Sequence, residues 1–355
     1  MLELEQILMT AIDNKASDIH LTVGAPPIVR VSGRLLHVGE HLLTPEETLH
    51  FASKILGERL FKSYRESGEC DAAYSYHRGN RHSHFRVNVF NQRNNCGIVM
   101  RLIPQKTPTM EELNLPDVFR ALSLKRRGLI LVTGPTGSGK TTTLAAMIEY
   151  MSRTRNEHII TIEDPIEFVF SHGVGIVNQR QIGSDTKSFA AALRSALRED
   201  PDIIVVGEMR DLETISAAVT AAETGHLVLA TLHTIGAANT IDRVIDAFPP
   251  EQQSQIRTQL GTALEAVISQ QLCPGRQNGG RQLALEIMIA NHAISNLIRE
   301  GKTAQITNAI QLGSGEGMIT MDQSLLTLFR KGKIDEQTLL KYCVDINEMR
   351  RLIGA

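Results

Sequence analysis

The sequence predicts an α/β chain: a phosphate-loop domain built on a parallel sheet, preceded by a smaller mixed α+β domain. Three observations carry that expectation. Residues 134–141 read Gly-Pro-Thr-Gly-Ser-Gly-Lys-Thr and lie between an apolar run and a helical pattern, the setting a phosphate-cradling loop requires. From residue 129 onward, short β-branched or leucine runs alternate with longer amphipathic segments, as in a parallel sheet with crossover helices. The 355 residues are enough for two domains of ordinary size, each with its own core.

In chain order, residues 4–14 read as a short helix, and residues 19–21 and 28–38 as extended segments punctuated by Pro26, Pro27 and glycines. Thr44 is a candidate N-cap with Pro45 in the first turn. Leu49, Ala52, Ile55 and Leu56 then recur at helical spacing. Residues 84–90 and 97–103 alternate in character around an Asn-rich turn and predict a hairpin. Residues 104–116 carry three prolines and resist regular structure. The expected division is therefore a domain over 1–103, a linker over 104–116 and a domain over 117–355. In the latter, the strand-like runs are 129–132, 159–162, 203–206 and 227–230. Leu144, Met147, Ile148 and Met151 mark one intervening helix, and Phe189, Ala192, Leu193 and Ala196 another. After Pro249-Pro250 the pattern is mostly helical, with residues 283–289 as a late strand.

Composition narrows the function classes. A formal net charge of -2 with interspersed signs supplies no broad cationic field, so no nucleic-acid partner is expected. Cys70, Cys96, Cys273 and Cys343 form no Cys-x-x-Cys pair and signal neither a zinc ribbon nor a disulfide framework. No basic segment followed by an apolar core opens the chain, and no apolar stretch approaches the ~20 residues that span a bilayer. A cytoplasmic protein is expected, reaching a membrane only through a protein partner.

In the phosphate loop, Gly134, Gly137 and Gly139 let consecutive backbone N–H groups turn inward, and the following helix adds its positive end. Lys140 is expected on the β- and γ-phosphates of ATP and the Thr141 hydroxyl on Mg²⁺, with Thr136, Ser138 and Thr142 completing the nucleotide contacts. Hydrolysis needs further groups. Glu163, with Asp164, closes the run 159–162, and Glu208 follows the run 203–206, which places both acids at the carboxyl edge of a parallel sheet. Carboxylates there hold the water shell of Mg²⁺ or orient the attacking water. His226 and His233 bracket the run 227–230. His233, at its carboxyl end, is the candidate for a bond to the γ-phosphate, whereas the role of His226 stays open between nucleotide contact and structure.

Four blocks together resemble the Walker A, Asp-box, Walker B and His-box motifs of the secretion ATPase superfamily that drives type II and type IV secretion and type IV pili. They are the phosphate loop, Ile162-Glu-Asp-Pro-Ile-Glu167, residues 200–211 around Glu208, and residues 224–234 around His233. Ala16-Ser-Asp-Ile-His20 and residues 26–33 extend the likeness over nearly the whole chain, toward its pilus-retraction branch. The resemblance implies a PAS-like N-terminal domain, a RecA-like ATPase domain and a homohexamer acting on an inner-membrane pilus platform. It also implies arginines from the N-terminal domain at the nucleotide, where Arg86 and Arg101 match best and Arg81 and Arg93 less well. The tetracysteine zinc motif and long N-terminal region common in extension and secretion members are missing, which favours retraction. Residues 293–300 resemble a retraction-type motif in which Ser295 stands for the usual arginine, leaving room for an auxiliary paralogue. An extension or secretion ATPase of the same superfamily, a RecA-like nucleic-acid translocase and a non-hydrolysing regulatory module are the alternatives.

Overall fold

The computed structural model describes residues 3–78, 81–104, 106–276 and 280–354. The chain divides into two compact units. The first comprises Met1–Thr107 with Pro165–Phe170 and Gln181–Lys187, and the second comprises Pro108–Asp164, Ser171–Arg180 and Ser188–Ala355.

The first unit contains α1 (Leu4–Asp13), β1 (Asp18–Leu21), β2 (Ile28–Val31), β3 (Arg34–His37), α2 (Pro45–Ser67), β4 (Glu69–Arg78), β5 (Arg81–Gln92) and β6 (Asn95–Leu102). The strands form one antiparallel sheet in the order β3-β2-β1-β6-β5-β4. Leu4, Ile7, Leu8 and Ala11 put one face of α1 into a core shared with Phe85, Val87, Val89 and Met100. Thr44 caps α2 as expected, and Glu47 reaches back to the Thr44 N–H, which makes the cap reciprocal. The helix is broken at Gly57, where φ is 65°. Two features differ from expectation. The segment 28–38 is a hairpin rather than one extended run, because Ser32 and Gly33 both turn at positive φ. β4 was not anticipated, although Cys70, Ala72, Tyr74 and Tyr76 alternate with exposed residues along it in the period of a half-buried strand.

The second unit contains α3 (Val118–Ser123), β7 (Gly128–Thr133), α4 (Lys140–Thr154), β8 (His158–Glu163), β9 (Ile176–Gln181), α5 (Phe189–Ala196), β10 (Ile203–Val206), α6 (Leu212–Glu223) and β11 (Leu227–Leu232). There follow α7 (Ala237–Asp246), α8 (Pro250–Ala263), β12 (Leu264–Pro274), β13 (Arg281–Ile289), α9 (His292–Arg299), α10 (Ile306–Leu312), α11 (Met321–Arg330), α12 (Glu336–Tyr342) and α13 (Ile346–Ile353). The sheet order is β13-β12-β7-β11-β10-β8-β9. β12, β7, β11, β10 and β8 run parallel, and β13 returns antiparallel to β12. Every residue of β7, β10 and β11 is buried, which explains the continuous apolar runs that announced them.

After Pro250 the chain is mostly helical, as expected, and β13 contains the expected late strand; what the sequence did not show is β12, which makes a long hairpin with β13 and completes the sheet. β12 went unread for a physical reason. Five consecutive residues, Ala266 to Gln270, are buried, so the period-2 signal is lost, and two of them, Ser269 and Gln270, are polar.

Candidate nucleotide site

β7 ends at Thr133, and the chain turns through the phosphate loop into α4, whose first residue is Lys140. Gly134, Gly137 and Gly139 all adopt positive φ, at 138°, 80° and 92°. At Gly134 a Cβ would also fall 2.3 Å from the Gln270 carbonyl oxygen and 2.7 Å from Ser138 Oγ, so the position excludes any side chain. Lys140 is 8% exposed, and its ammonium donates to the carbonyl oxygens of Gly134 at 2.8 Å and Pro135 at 3.2 Å. The Thr141 side chain is exposed in the first helical turn, beside half-buried Thr142. Thr136 is exposed as well, while Ser138 is buried. This cradle fits a polyphosphate: helix-start N–H groups, a buried cation on the loop and a hydroxyl in the first turn.

Strand register lines up the other candidates along the same edge. Thr133 pairs with Leu232 of β11, so His233 emerges one strand from the loop. Val206 of β10 pairs with Ala230 and with Ile162 of β8, so Glu208 and Glu163 follow two and three strands away. With strands about 4.8 Å apart, the set spans roughly 15 Å, the scale of a nucleotide polyphosphate and its surrounding water.

Glu208 is the centre of this group. His233 Nε2 lies 2.8 Å and Arg210 Nε 2.6 Å from the same oxygen, Glu208 Oε1. Because an ionised carboxylate only accepts, His233 donates through its Nε2–H. Burial alone would raise the Glu208 carboxyl, but the bond from Arg210 and the charges of His233 and Arg210 outweigh it and hold the group below the ordinary carboxylate range. The backbone is pinned too, since Met209 N–H donates to Thr231 O and the Thr231 hydroxyl donates to Gly207 O. Glu163 accepts from Thr161 Oγ1 at 2.5 Å and from Gln179 Nε2 at 3.0 Å. A cavity of about 470 Å³ opens beside Glu208 and His233, walled by Arg210, Leu212, Ile215 and Arg243. A fixed carboxylate flanked by an imidazole donor and a guanidinium is suited to orient water beside an anion.

The second unit thus brings together the phosphate loop, Glu163, Glu208 and His233. His226 is a correction. It precedes β11, at the amino edge of the sheet, where its carbonyl accepts from Gly128 N–H and its ring bonds Ala221 O at 3.0 Å. A full strand separates it from the loop, because β7 and β11 run parallel and in register over their whole length, so it does not contact a nucleotide held by its own phosphate loop. Sequence reasoning also missed Arg210 and Gln270. Arg210 carries no motif signal beyond its place after Glu208, and Gln270 sits on the unread strand.

A family model for type II/IV secretion system proteins matches residues 2–324. The chain belongs to that family. It is 49% identical over 336 residues to the type IV pilus retraction ATPase PilT of Pseudomonas aeruginosa, covering 95% of this chain and 96% of that one. It is 39% identical over 352 residues to the type IV pilus ATPase PilU of the same organism, covering 99% and 91%. Among solved structures, the pilus retraction motor PilT with bound ADP superposes with a TM-score of 0.91 at 47% identity, covering 99% of this chain and 100% of that one.

Membership of the family directs attention to the arginines of the first unit. Arg86 on β5 and Arg101 on β6 are direct cross-strand partners, both exposed on one sheet face. Arg101 is engaged, its Nε donating to Asp18 Oδ1 at 2.9 Å. Burial pushes the Asp18 carboxyl up, but bonds from Arg101 and Ser17 hold it below its usual value. Arg93 forms the β5–β6 turn with Asn94, both at positive φ, which suits it to a turn role. The Arg81 side chain lies outside the described residues. Ser295 is buried on α9, where its carbonyl oxygen lies 3.0 Å from the position of a Gly261 Cβ. That tight approach brings the main chain of α9 against α8 at Gly261.

Proposed function

We propose that this chain is the motor ATPase that retracts a type IV pilus, working as a homohexamer at the cytoplasmic face of the inner membrane. The end-to-end match to a retraction ATPase, over 95% of this chain and 96% of the relative, is the observation that supports this reading most. ATP is held by Gly134 to Thr142, with Lys140 on the terminal phosphates. Mg²⁺, supported by Thr141 and through water by Glu163 and Glu208, neutralises phosphate charge when bound. Glu208 orients the attacking water, and His233, bonded to Glu208, registers the γ-phosphate and passes its loss to α7, which begins four residues later. The output is movement of the two units, with no chemical substrate beyond ATP and water.

The deciding experiment is the pilus phenotype of a deletion strain, with a Lys140→Ala allele as control. Many surface pili without twitching support retraction. Bald cells indicate extension instead, and normal twitching with weakened force indicates an auxiliary role. Salt-sensitive DNA binding that stimulates hydrolysis would favour the translocase reading.

Arg86 and Arg101 are proposed to complete the site of a neighbouring subunit by neutralising phosphate charge. Arg86→Ala and Arg101→Ala are each expected to lower kcat at least about a hundredfold with the hexamer intact by size-exclusion chromatography. The two effects separate in stability, because only Arg101→Ala releases buried Asp18. Normal turnover in the double variant would remove both residues from the site.

A further inference from the structure

Gln270 lies on the flank of the phosphate loop away from Glu208 and His233, and nothing in the proposed chemistry uses it. Its side chain is fully buried. Ser269 pairs with Thr133 across β12 and β7, so the next residue, Gln270, comes level with the first residue of the loop. Its main-chain oxygen occupies the space that a side chain at Gly134 would need. Its amide nitrogen crosses to the phosphate-loop helix, with Nε2 donating to Thr143 Oγ1 at 2.8 Å, a bond buried on both sides.

Among the described residues, two polar atoms here have no partner. Gln270 Oε1 is a buried acceptor with no hydrogen bond, and Ser138 Oγ, inside the loop, is a buried hydroxyl with none. Unpartnered buried polar groups are rare in folded proteins, and each calls for a structural or functional reason. Beside Gly134, Ser138 Oγ and the main-chain oxygen of Gln270 flank the space that a side chain there would fill, so β12 packs directly against the loop. The neighbouring residue extends the contact in the other direction, since Ser269 Oγ accepts from Gly236 N–H at 3.0 Å, just beyond His233. On β13, Glu286 Oε1 accepts from Ala237 N–H at 2.7 Å. β12 therefore touches the phosphate-loop helix through one side chain and the loop after His233 through the next.

We propose that Gln270 is a positioning residue of the nucleotide site: its buried amide ties Thr143, in the first turns of the phosphate-loop helix, to β12 and so fixes the cradle against the sheet. Through Ser269 the same strand keeps the His233 loop in register with the phosphate loop. This rests on the ATPase reading above. Removing the amide should loosen nucleotide binding more than it slows chemistry, because Gln270 shapes the cradle and touches no reacting atom.

The test uses the full chain, with steady-state ATP turnover, fluorescent-ADP binding and thermal melting measured on Gln270→Met, Thr143→Val and the double variant. Gln270→Met keeps the length and volume of the side chain and removes both polar atoms. The expected result is a rise of at least about tenfold in KM for ATP and Kd for ADP, with kcat changed less than about threefold. Thr143→Val should shift both constants in the same direction, and the double variant should show less than the product of the two. A role in packing alone would lower the melting temperature and leave KM and Kd within twofold, which overturns the proposal. So would single effects that multiply independently. If Gln270→Met fails to fold, unchanged nucleotide binding in Thr143→Val overturns it alone. Absence of ATP turnover in the unsubstituted protein would instead sink the ATPase reading, so the two failures are distinguishable.

Discussion

Lys140→Ala is expected to lower kcat/KM for ATP at least about a thousandfold in a protein that remains folded. The two halves of that expectation have separate causes. Lys140 is buried, and its ammonium donates to two neutral loop carbonyls, Gly134 O and Pro135 O. Burying a cation is costly, so its removal returns a desolvation penalty along with the bonds it forfeits. For a polyphosphate the balance reverses, because Lys140 brings a full positive charge to a water-poor cradle where charge is weakly screened. Lys140→Arg should rescue poorly, since a planar guanidinium does not fit the space of a compact ammonium. Turnover and fluorescent-ADP binding, with circular dichroism as the folding control, check this. Turnover within tenfold of the unsubstituted chain would contradict the assignment.

Glu208→Gln is expected to lower kcat by about a thousandfold or more while leaving KM for ATP within a few-fold. The amide keeps the shape and one acceptor for the bonds from His233 and Arg210. It lacks the charge that orients water and supports a developing proton transfer. A loss in KM with kcat intact would make Glu208 a binding group instead. The pH dependence has a defined sign. The folded-state value of Glu208 lies below its unfolded value, so the carboxylate contributes stability that is fully present above the unfolded value, about 4.3. That contribution is lost as pH falls through the lowered folded value. The melting-temperature difference between the unsubstituted chain and Glu208→Gln should therefore be constant near neutrality and shrink below about pH 4.5.

The cradle was legible because its chemistry is local: glycines at positive φ, a lysine and a threonine must be consecutive to wrap a phosphate, so Gly134 to Thr141 carry the whole signal in eight residues. Glu163 and Glu208 were legible for a related reason. Each follows a run buried on both faces, and in a parallel sheet all such run ends share one edge. That logic does not reach His226, left open between contact and structure, which stands at the opposite end of its run from His233 although the two are seven residues apart in one motif. Arg210 was invisible as a partner because an arginine two residues after an acid carries no pattern of its own, and His233 reaches the same Glu208 oxygen only because β10 and β11 are paired.

The sequence by itself determined the phosphate loop, the parallel strands at its core and the family. These follow from short-range constraints, namely backbone conformations that only glycine adopts easily and apolar runs of strand length. The tertiary structure decided which residues surround the loop. Gln270 and Ser269 lie more than 120 positions along the chain from the loop, on a strand whose buried polar residues hide its period, and only the pairing of β12 with β7 brings them to Gly134 and Thr143. Proximity across a sheet is set by strand order, and strand order leaves no mark in the local pattern of residues.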